Sequence, residues 1–313
     1  MAKTLDQQAE AVLKQHLKLG TAKRNVDLIG STRHHQFTSV RSFKETASTL
    51  ARIARALGVK RLKEIDVATA TAYLVSRRDQ ISKRDNFVHV QKNANKLISQ
   101  KTLDAERKAL SILLKEPISR IYSANDKPLA SRAYTTEQIN KIASKQSARN
   151  SLSTRIAAEA GLRASELFTL RKAEEINIKQ TRAWHPARFK GVEGQRYIVV
   201  GKGGLVREIV LSHDTVEALE KTRFVTPQQV TDRGVRYTVH YNIAGGNGFS
   251  KSFGRVSASH LDFSNGAHGL RHTYAQSRLN EIKAMGYPEQ EAKIILSQEI
   301  GHFRANITET YLR

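Results

Sequence analysis

Apolar residues recur at helical spacing through the first third of the chain. Leu5, Ala9, Val12, Leu13 and Leu17 predict a helix over 5–20, with Gly20 as its stop. Val40, Phe43, Leu50, Ile53, Ala54 and Leu57 predict a second over 39–57, closed by Gly58. Ile65-Asp66-Val67 leads into a third that carries Ala68, Ala70, Ala72, Tyr73 and Leu74. Leu103, Leu110, Leu113 and Leu114 mark a fourth over 99–114, and Pro117 breaks it. Helices joined by short connectors make a small all-α domain, placed at 1–120. Pro117, Pro128, Asn125-Asp126 and several serines over 117–134 read as connecting chain, with the linker placed at 121–134.

The pattern changes after residue 135. Thr136 is the expected cap of a helix, and Leu152 to Leu170 is helical with a break at Gly161. Ile178, and then Tyr197 to Leu211, look like the only strong β material. The runs on either side of Gly201-Lys202-Gly203-Gly204 form a hairpin signature. Helices are predicted at 215–223, 269–285, 289–299 and 305–312. Residues 233–266 are rich in Gly, Ser and Asn, with a short helix at 250–258. The fold class is therefore mainly α: a helical N-terminal domain, then a mixed α/β domain over 135–313, mostly helical with a small antiparallel sheet.

Charge adds a partner to this picture. Of 313 residues, 52 are Lys or Arg against 29 Asp or Glu, a net charge of +23. Residues 1–132 hold 26 basic and 12 acidic side chains; residues 133–313 hold 26 and 17. Both halves are basic, which suits a polyanion gripped from two sides, while a solvated basic surface is the plain alternative. Arg77, Arg78, Lys83, Arg84, Lys92 and Lys96 form a basic run between the third and fourth predicted helices and are the first domain's candidate DNA contacts. No apolar run is long enough to span a bilayer, and the first residues carry no apolar signal core, so no membrane or secretory role is expected. The chain has no cysteine, which excludes disulfides and thiol catalysis and fits a reducing cytoplasm.

The chemistry-bearing residues lie in the second domain. Gly161-Leu162-Arg163-Ala164-Ser165-Glu166-Leu167 places one arginine after a glycine break. Lys202 sits in the hairpin turn. His268-Gly269-Leu270-Arg271-His272-Thr273 is followed by Gly301-His302 and by Tyr311. In this order and spacing the stretch 135–313 resembles the catalytic domain of the tyrosine recombinases, the phage-integrase family. The N-terminal half is similar to that family's helical core-binding domain in type alone. The resemblance implies that Arg163 and Arg271 clamp a scissile phosphodiester and that Tyr311 attacks it. It implies that His268 assists the phenol, Lys202 protonates the leaving 5′-oxygen and His302 hydrogen-bonds the phosphate. The product would be a 3′-phosphotyrosyl ester, made without metal, ATP or another cofactor.

Double-stranded DNA with specific recombination sites is then the partner. The working form would be a homotetramer on two sites, helped by DNA-bending accessory proteins. Leu296 to His302 is worded more like integrases of mobile elements than like chromosome-dimer resolvases. The rivals are a dimer resolvase, a type IB topoisomerase-like enzyme, and a non-catalytic architectural DNA-binding protein. Each residue also has an ordinary reading: Tyr311 as packing, Arg163 as an i,i+3 partner of Glu166, the histidines as surface or core groups. Glu166 and His272 are assigned to structure. A zinc site from His268, His272 and His302 lacks the usual cysteine or carboxylate. Only Leu312 and Arg313 follow Tyr311, where many relatives carry a longer segment that docks on a neighbour; another element takes that role, or the chain is shortened.

Overall fold

A computed structural model describes residues 2–19, 36–79, 97–125, 131–176, 182–201 and 203–312. These residues fall into two compact units, one N-terminal and one from residue 131 to the end.

The N-terminal unit packs four helices: α1 (Leu5–Lys14), α2 (Val40–Leu57), α3 (Val67–Arg78) and α4 (Gln100–Leu114). Each begins on a side chain that accepts an otherwise unpaired backbone N–H: Thr4 from Gln7, Ser39 from Ser42, Asp66 from Thr69 and Ser99 from Thr102. The apolar stripes read from the sequence meet in one core holding Leu13, Leu50, Ile53, Leu74, Leu110 and Ile112. α1 stops before the expected end, because the chain turns there to pair Leu17 with Phe37. Phe37 is buried edge-on against Phe43, which holds that turn in place. Gly20 lies outside the described residues. α4 ends at Lys115 in the left-handed conformation (φ 59°), ahead of Pro117.

Part of the expected connecting stretch is packed onto this unit. Ile118 is buried in its core, and its N–H donates to Ser111 Oγ at 3.2 Å. The Gln100 side chain brackets Ile121 O and the Ser123 N–H at 3.1 and 2.8 Å.

The C-terminal unit begins with α5 (Thr136–Ser144), capped by Thr135 in a capping box with Gln138. Thr136, expected as the cap, is the first helical residue. α6 (Ala148–Glu159) follows, then a 3-10 turn over Glu166–Thr169. β1 (Arg171–Lys172), β2 (Gln195–Val200) and β3 (Val206–Leu211) form an antiparallel sheet in that order, with Tyr197 opposite Ile209. α7 (His213–Glu220) precedes β4 (Arg223–Asp232) and β5 (Val235–Tyr241), then α8 (Gly246–Leu261) and α9 (Gly269–Ala284). α10 (Glu289–Glu299) and the short α11 (Ala305–Thr308) lead to a 3-10 turn over Glu309–Tyr311.

Two expectations fail here. β4 and β5 form a second hairpin where glycine-rich loop was expected, so Tyr197–Leu211 is not the only β material. Its two-residue turn, Arg233-Gly234, has φ of 49° and 78°, the doubly positive combination of tight hairpins. β4 is mostly exposed and carries Pro227 within an irregular stretch of its pairing, so it shows no apolar alternation. α8 spans 16 residues rather than the short helix expected at 250–258. Phe249 and Phe253, one helical turn apart, bury fully in the core of this unit and override the weak helix preference of the glycines around them. Ile178 lies outside the described residues. No described helix is long and apolar enough to cross a membrane.

Candidate active site

The site is built on the ends of helices. α6 ends at Glu159, and Gly161 follows at φ +59°, a conformation that costs a side-chain-bearing residue about 1–2 kcal/mol. A Cβ on Gly161 would also lie 2.6 Å from the Tyr274 ring. The reversal lets the Leu162 N–H return to Ala157 O at 3.1 Å and throws Arg163 away from the helix. The same device ends α10. Gly301 sits at φ +76°, its N–H donates to Gln298 O at 2.9 Å, and the His302 N–H donates to Ser297 O at 2.6 Å. That pair of bonds is the Schellman arrangement, and it presents His302.

Arg271 lies in the first turn of α9 and is fully buried. Its Nη1 donates to Gly161 O at 2.6 Å and its Nη2 to Ile300 O. Both acceptors are carbonyls at the C-terminal ends of helices, where the dipole favours a cation. Burial, before any other cause, lowers its pKa to about 10, so it stays charged at neutral pH. Arg163 donates through Nη1 to Glu166 Oε1 at 2.6 Å, and its backbone N–H donates to Oε2 at 2.9 Å. Its Nη2 lies 3.0 Å from His302 Nε2.

Glu166 is buried between guanidiniums. Arg207 donates to it at 2.8 Å, Arg163 at 2.6 Å, and Arg271 stands 3.9 Å away. Burial alone would raise its pKa, but Arg207, Arg271 and Arg163 outweigh that and hold it at about 2. Three guanidiniums against one carboxylate leave an excess of two positive charges.

Tyr311 closes the constellation. It is 6% exposed, and its ring centroid is 5.2 Å from the Arg271 guanidinium. The rings of His272, His268 and His302 lie 5.1, 5.6 and 5.9 Å from it. Its hydroxyl is 3.3 Å from His302 Nε2. Burial and then the nearby Arg271 lower the pKa of both His268 and His302 to about 4, so both rings are neutral at neutral pH. An arginine can only donate, so His302 Nε2 is the acceptor, and the Arg163 guanidinium and the Tyr311 hydroxyl compete for its one lone pair. Of the two histidines offered by the sequence, His302 is the one whose nitrogen stands within hydrogen-bond reach of the phenol oxygen.

The structure thus brings together Arg163, Arg271, His268, His302 and Tyr311. Lys202 lies outside the described residues. The stem of its turn is against the arginines: a Cβ on Gly201 would lie 3.2 Å from Glu166 Oε1 and 4.0 Å from Arg163 Nη1. Of the basic run in the N-terminal unit, Arg77 makes a bidentate pair with buried Glu106 at 3.1 and 3.2 Å, and Arg78 pairs with Asp79 at 2.9 Å. Lys83, Arg84, Lys92 and Lys96 lie outside the described residues.

No family model and no curated protein matches this chain in sequence. Solved structures match in fold. A lambda integrase dimer bound to a COC′ core site aligns with a TM-score of 0.57 and 14% identity, covering 97% of this chain and 76% of that one. A shorter lambda integrase dimer on the same core site gives 0.56 and 16%, covering 88% and 89%. The Tn1549 transposon integrase, in complex with a circular intermediate DNA, gives 0.52 and 14%, covering 100% and 95%. The fold is that of the tyrosine recombinases.

Within that recombinase fold, one residue of the cluster escaped the motif reading. Arg207 is buried on β3, its Nη2 on Glu166 and its Nη1 on Glu299 O at 2.9 Å. A signal was present: in Val206-Arg207-Glu208-Ile209-Val210-Leu211, Arg207 shares its strand face with Ile209 and Leu211, the inward face. A charge at an inward position needs a buried partner, and that partner is Glu166.

Proposed function

We propose that this chain is a site-specific DNA strand transferase that cuts and rejoins duplex DNA through a covalent bond to Tyr311. The observation that carries the reading is the excess of two positive charges beside a tyrosine hydroxyl held against a neutral imidazole. A phosphodiester brings one negative charge and its pentavalent transition state two, so a site with this excess favours the transition state. Tyr311 Oη attacks phosphorus as its proton passes to His302 or His268. The bond to the 5′-oxygen breaks, and that oxygen takes a proton from Lys202. The result is a 3′-phosphotyrosyl ester and a free 5′-hydroxyl. A 5′-hydroxyl from a second strand reverses the step, so no ATP and no metal enters.

The helical unit 1–120, joined through 121–134 to the second unit, would hold the same duplex through its basic residues, Lys83, Arg84, Lys92 and Lys96 among them. The fold neighbours are seen on a core site and on a circular intermediate, which supports DNA as partner and the integration or excision of a mobile element as the task. Four copies on two duplexes would be the working assembly, acting in the cytoplasm where the DNA lies.

The test is a suicide duplex, nicked near the cleavage point and built from the DNA flanking the gene. A covalent protein–DNA adduct is expected, and Tyr311→Phe abolishes it while binding persists. Binding with no adduct on any such substrate would leave an architectural protein. Relaxation of supercoiled plasmid lacking the site would point to a topoisomerase.

A further inference from the structure

The loop between β1 and β2 is tied to the helix end that presents His302. The His185 N–H donates to Gln298 Oε1 at 2.6 Å, and the Phe189 N–H to Glu299 Oε1 at 2.7 Å. Arg278 on α9 donates to Lys190 O at 2.9 Å. This loop carries Trp184, the single tryptophan of the chain, whose ring centroid is 4.7 Å from that of Phe303. Phe303 follows His302 directly. Arg182 lies over the Phe303 ring at 4.4 Å and Arg188 over the Trp184 ring at 4.1 Å.

These guanidiniums are under-partnered. Arg182 is exposed and forms no ion pair with a described residue. The Arg188 side chain is 10% exposed, and its Nη2 shares Glu208 with Arg196. Its Nε and Nη1 are buried with no hydrogen-bond partner among the described residues. Buried donors left without acceptors are costly, so the Arg188 guanidinium has hydrogen-bonding capacity that the described residues do not use. Arg182, Arg188 and Arg196 against one Glu208 leave the patch positive. The flanking Trp184 and Phe303 suit the apolar faces of a sugar or base more than free water.

We propose that Arg182 and Arg188, set on Trp184 and Phe303, form a second anion subsite that takes a DNA phosphate flanking the scissile one. It rests on the strand-transferase reading. The subsite orients the strand by its backbone, while the arginine–tyrosine site does the chemistry. Because its loop is bonded to Gln298 and Glu299, a phosphate bound there also steadies the end of α10, and with it His302.

The full chain carrying Tyr311→Phe reads binding without cleavage, with a random-sequence duplex as probe. Trp184 emission should change as the duplex saturates. The slope of log Kd against log salt between about 50 and 200 mM should fall by about one in Arg182→Gln and in Arg188→Gln. Arg182 is exposed, so an unchanged unfolding midpoint shows that its variant is folded. Arg188→Lys, a point charge without the fork, should recover part of the lost slope. Duplex binding with Trp184 emission unaltered and the Arg182→Gln slope unchanged would overturn the subsite. A suicide adduct formed by the Tyr311 chain in that case leaves the strand-transferase reading standing. A reduced slope with no adduct on any substrate does the reverse. Absence of duplex binding removes both.

Discussion

Two buried carboxylates, Glu166 and Glu299, are served differently by the arginines around them. Glu299 takes Arg278 Nε and Nη2, the Phe189 N–H and the Tyr274 hydroxyl, all at 2.7–3.3 Å. One buried cation faces one buried anion, and the charges cancel. This pair joins α9, α10 and the 184–190 loop. Glu166 faces three guanidiniums and cannot cancel them. Arg207 touches both places, with Nη2 on the Glu166 carboxylate and Nη1 on the Glu299 carbonyl. A balanced pair makes a joint; an unbalanced one makes a seat for an anion. The same residue types serve both ends, and only their ratio differs.

The contrast can be broken by removing one charge at a time. Glu299→Gln leaves the buried Arg278 with only the exposed Glu281, at 2.9 Å, as counter-charge, and the expected loss is about 3–5 kcal/mol, read from the urea midpoint. Added sulfate should restore little of it, because Glu281 already occupies the free edge of the Arg278 guanidinium. Glu166→Gln should cost somewhat less, about 2–4 kcal/mol, and sulfate should restore a large part by sitting among Arg163, Arg207 and Arg271. Equal rescue of the two variants would erase the distinction.

Arg207 sharpens it. Arg207→Ala should lower the rate of adduct formation by about 10²-fold through misplacement of Glu166 and Arg163, with the apparent affinity for DNA nearly unchanged. Arg207→Lys should recover little of that rate, since one ammonium cannot bridge both acceptors. A loss confined to affinity would assign Arg207 to binding instead.

The smallest effect is on pH. His268 and His302 titrate at about 4 in the fold against 6.5 for a free histidine, owing to burial and then to Arg271. Between these values the unfolded chain binds protons that the folded chain refuses. Their contribution to stability is therefore complete above pH 6.5 and is lost as pH falls toward 4. The acid limb of kcat/KM should fall near 4 for the same reason. An acid limb near 6.5 would mean that neither burial nor the excess positive charge holds the imidazoles neutral.

Much of this was legible in the chain. The four N-terminal helices carry clean apolar stripes, and their caps are Ser, Thr and Asp. The motif residues from Arg163 to Tyr311 stand in a recognisable order, and five of the six converge in space. What stayed hidden depends on neighbours distant in sequence. β4 shows no alternation because most of its side chains face water, and its pairing with β5 rests on backbone bonds. α8 is glycine- and serine-rich, and Phe249 and Phe253 hold it from one side. Arg77 looked like a surface cation until Glu106, 29 positions later, was seen to meet it. Arg207 and Glu299 are ordinary charged letters until the fold sets them beside Glu166 and Arg278.

Arg271 is anchored by the oxygens of Gly161 and Ile300, and peptide oxygens do not titrate. Its anchorage is therefore indifferent to acidity across the whole range in which the neighbouring imidazoles gain and lose protons. An acid excursion can silence the proton acceptors without loosening this guanidinium, which keeps its charge up to about pH 10, so a chain returned to neutrality finds its anion seat where it left it.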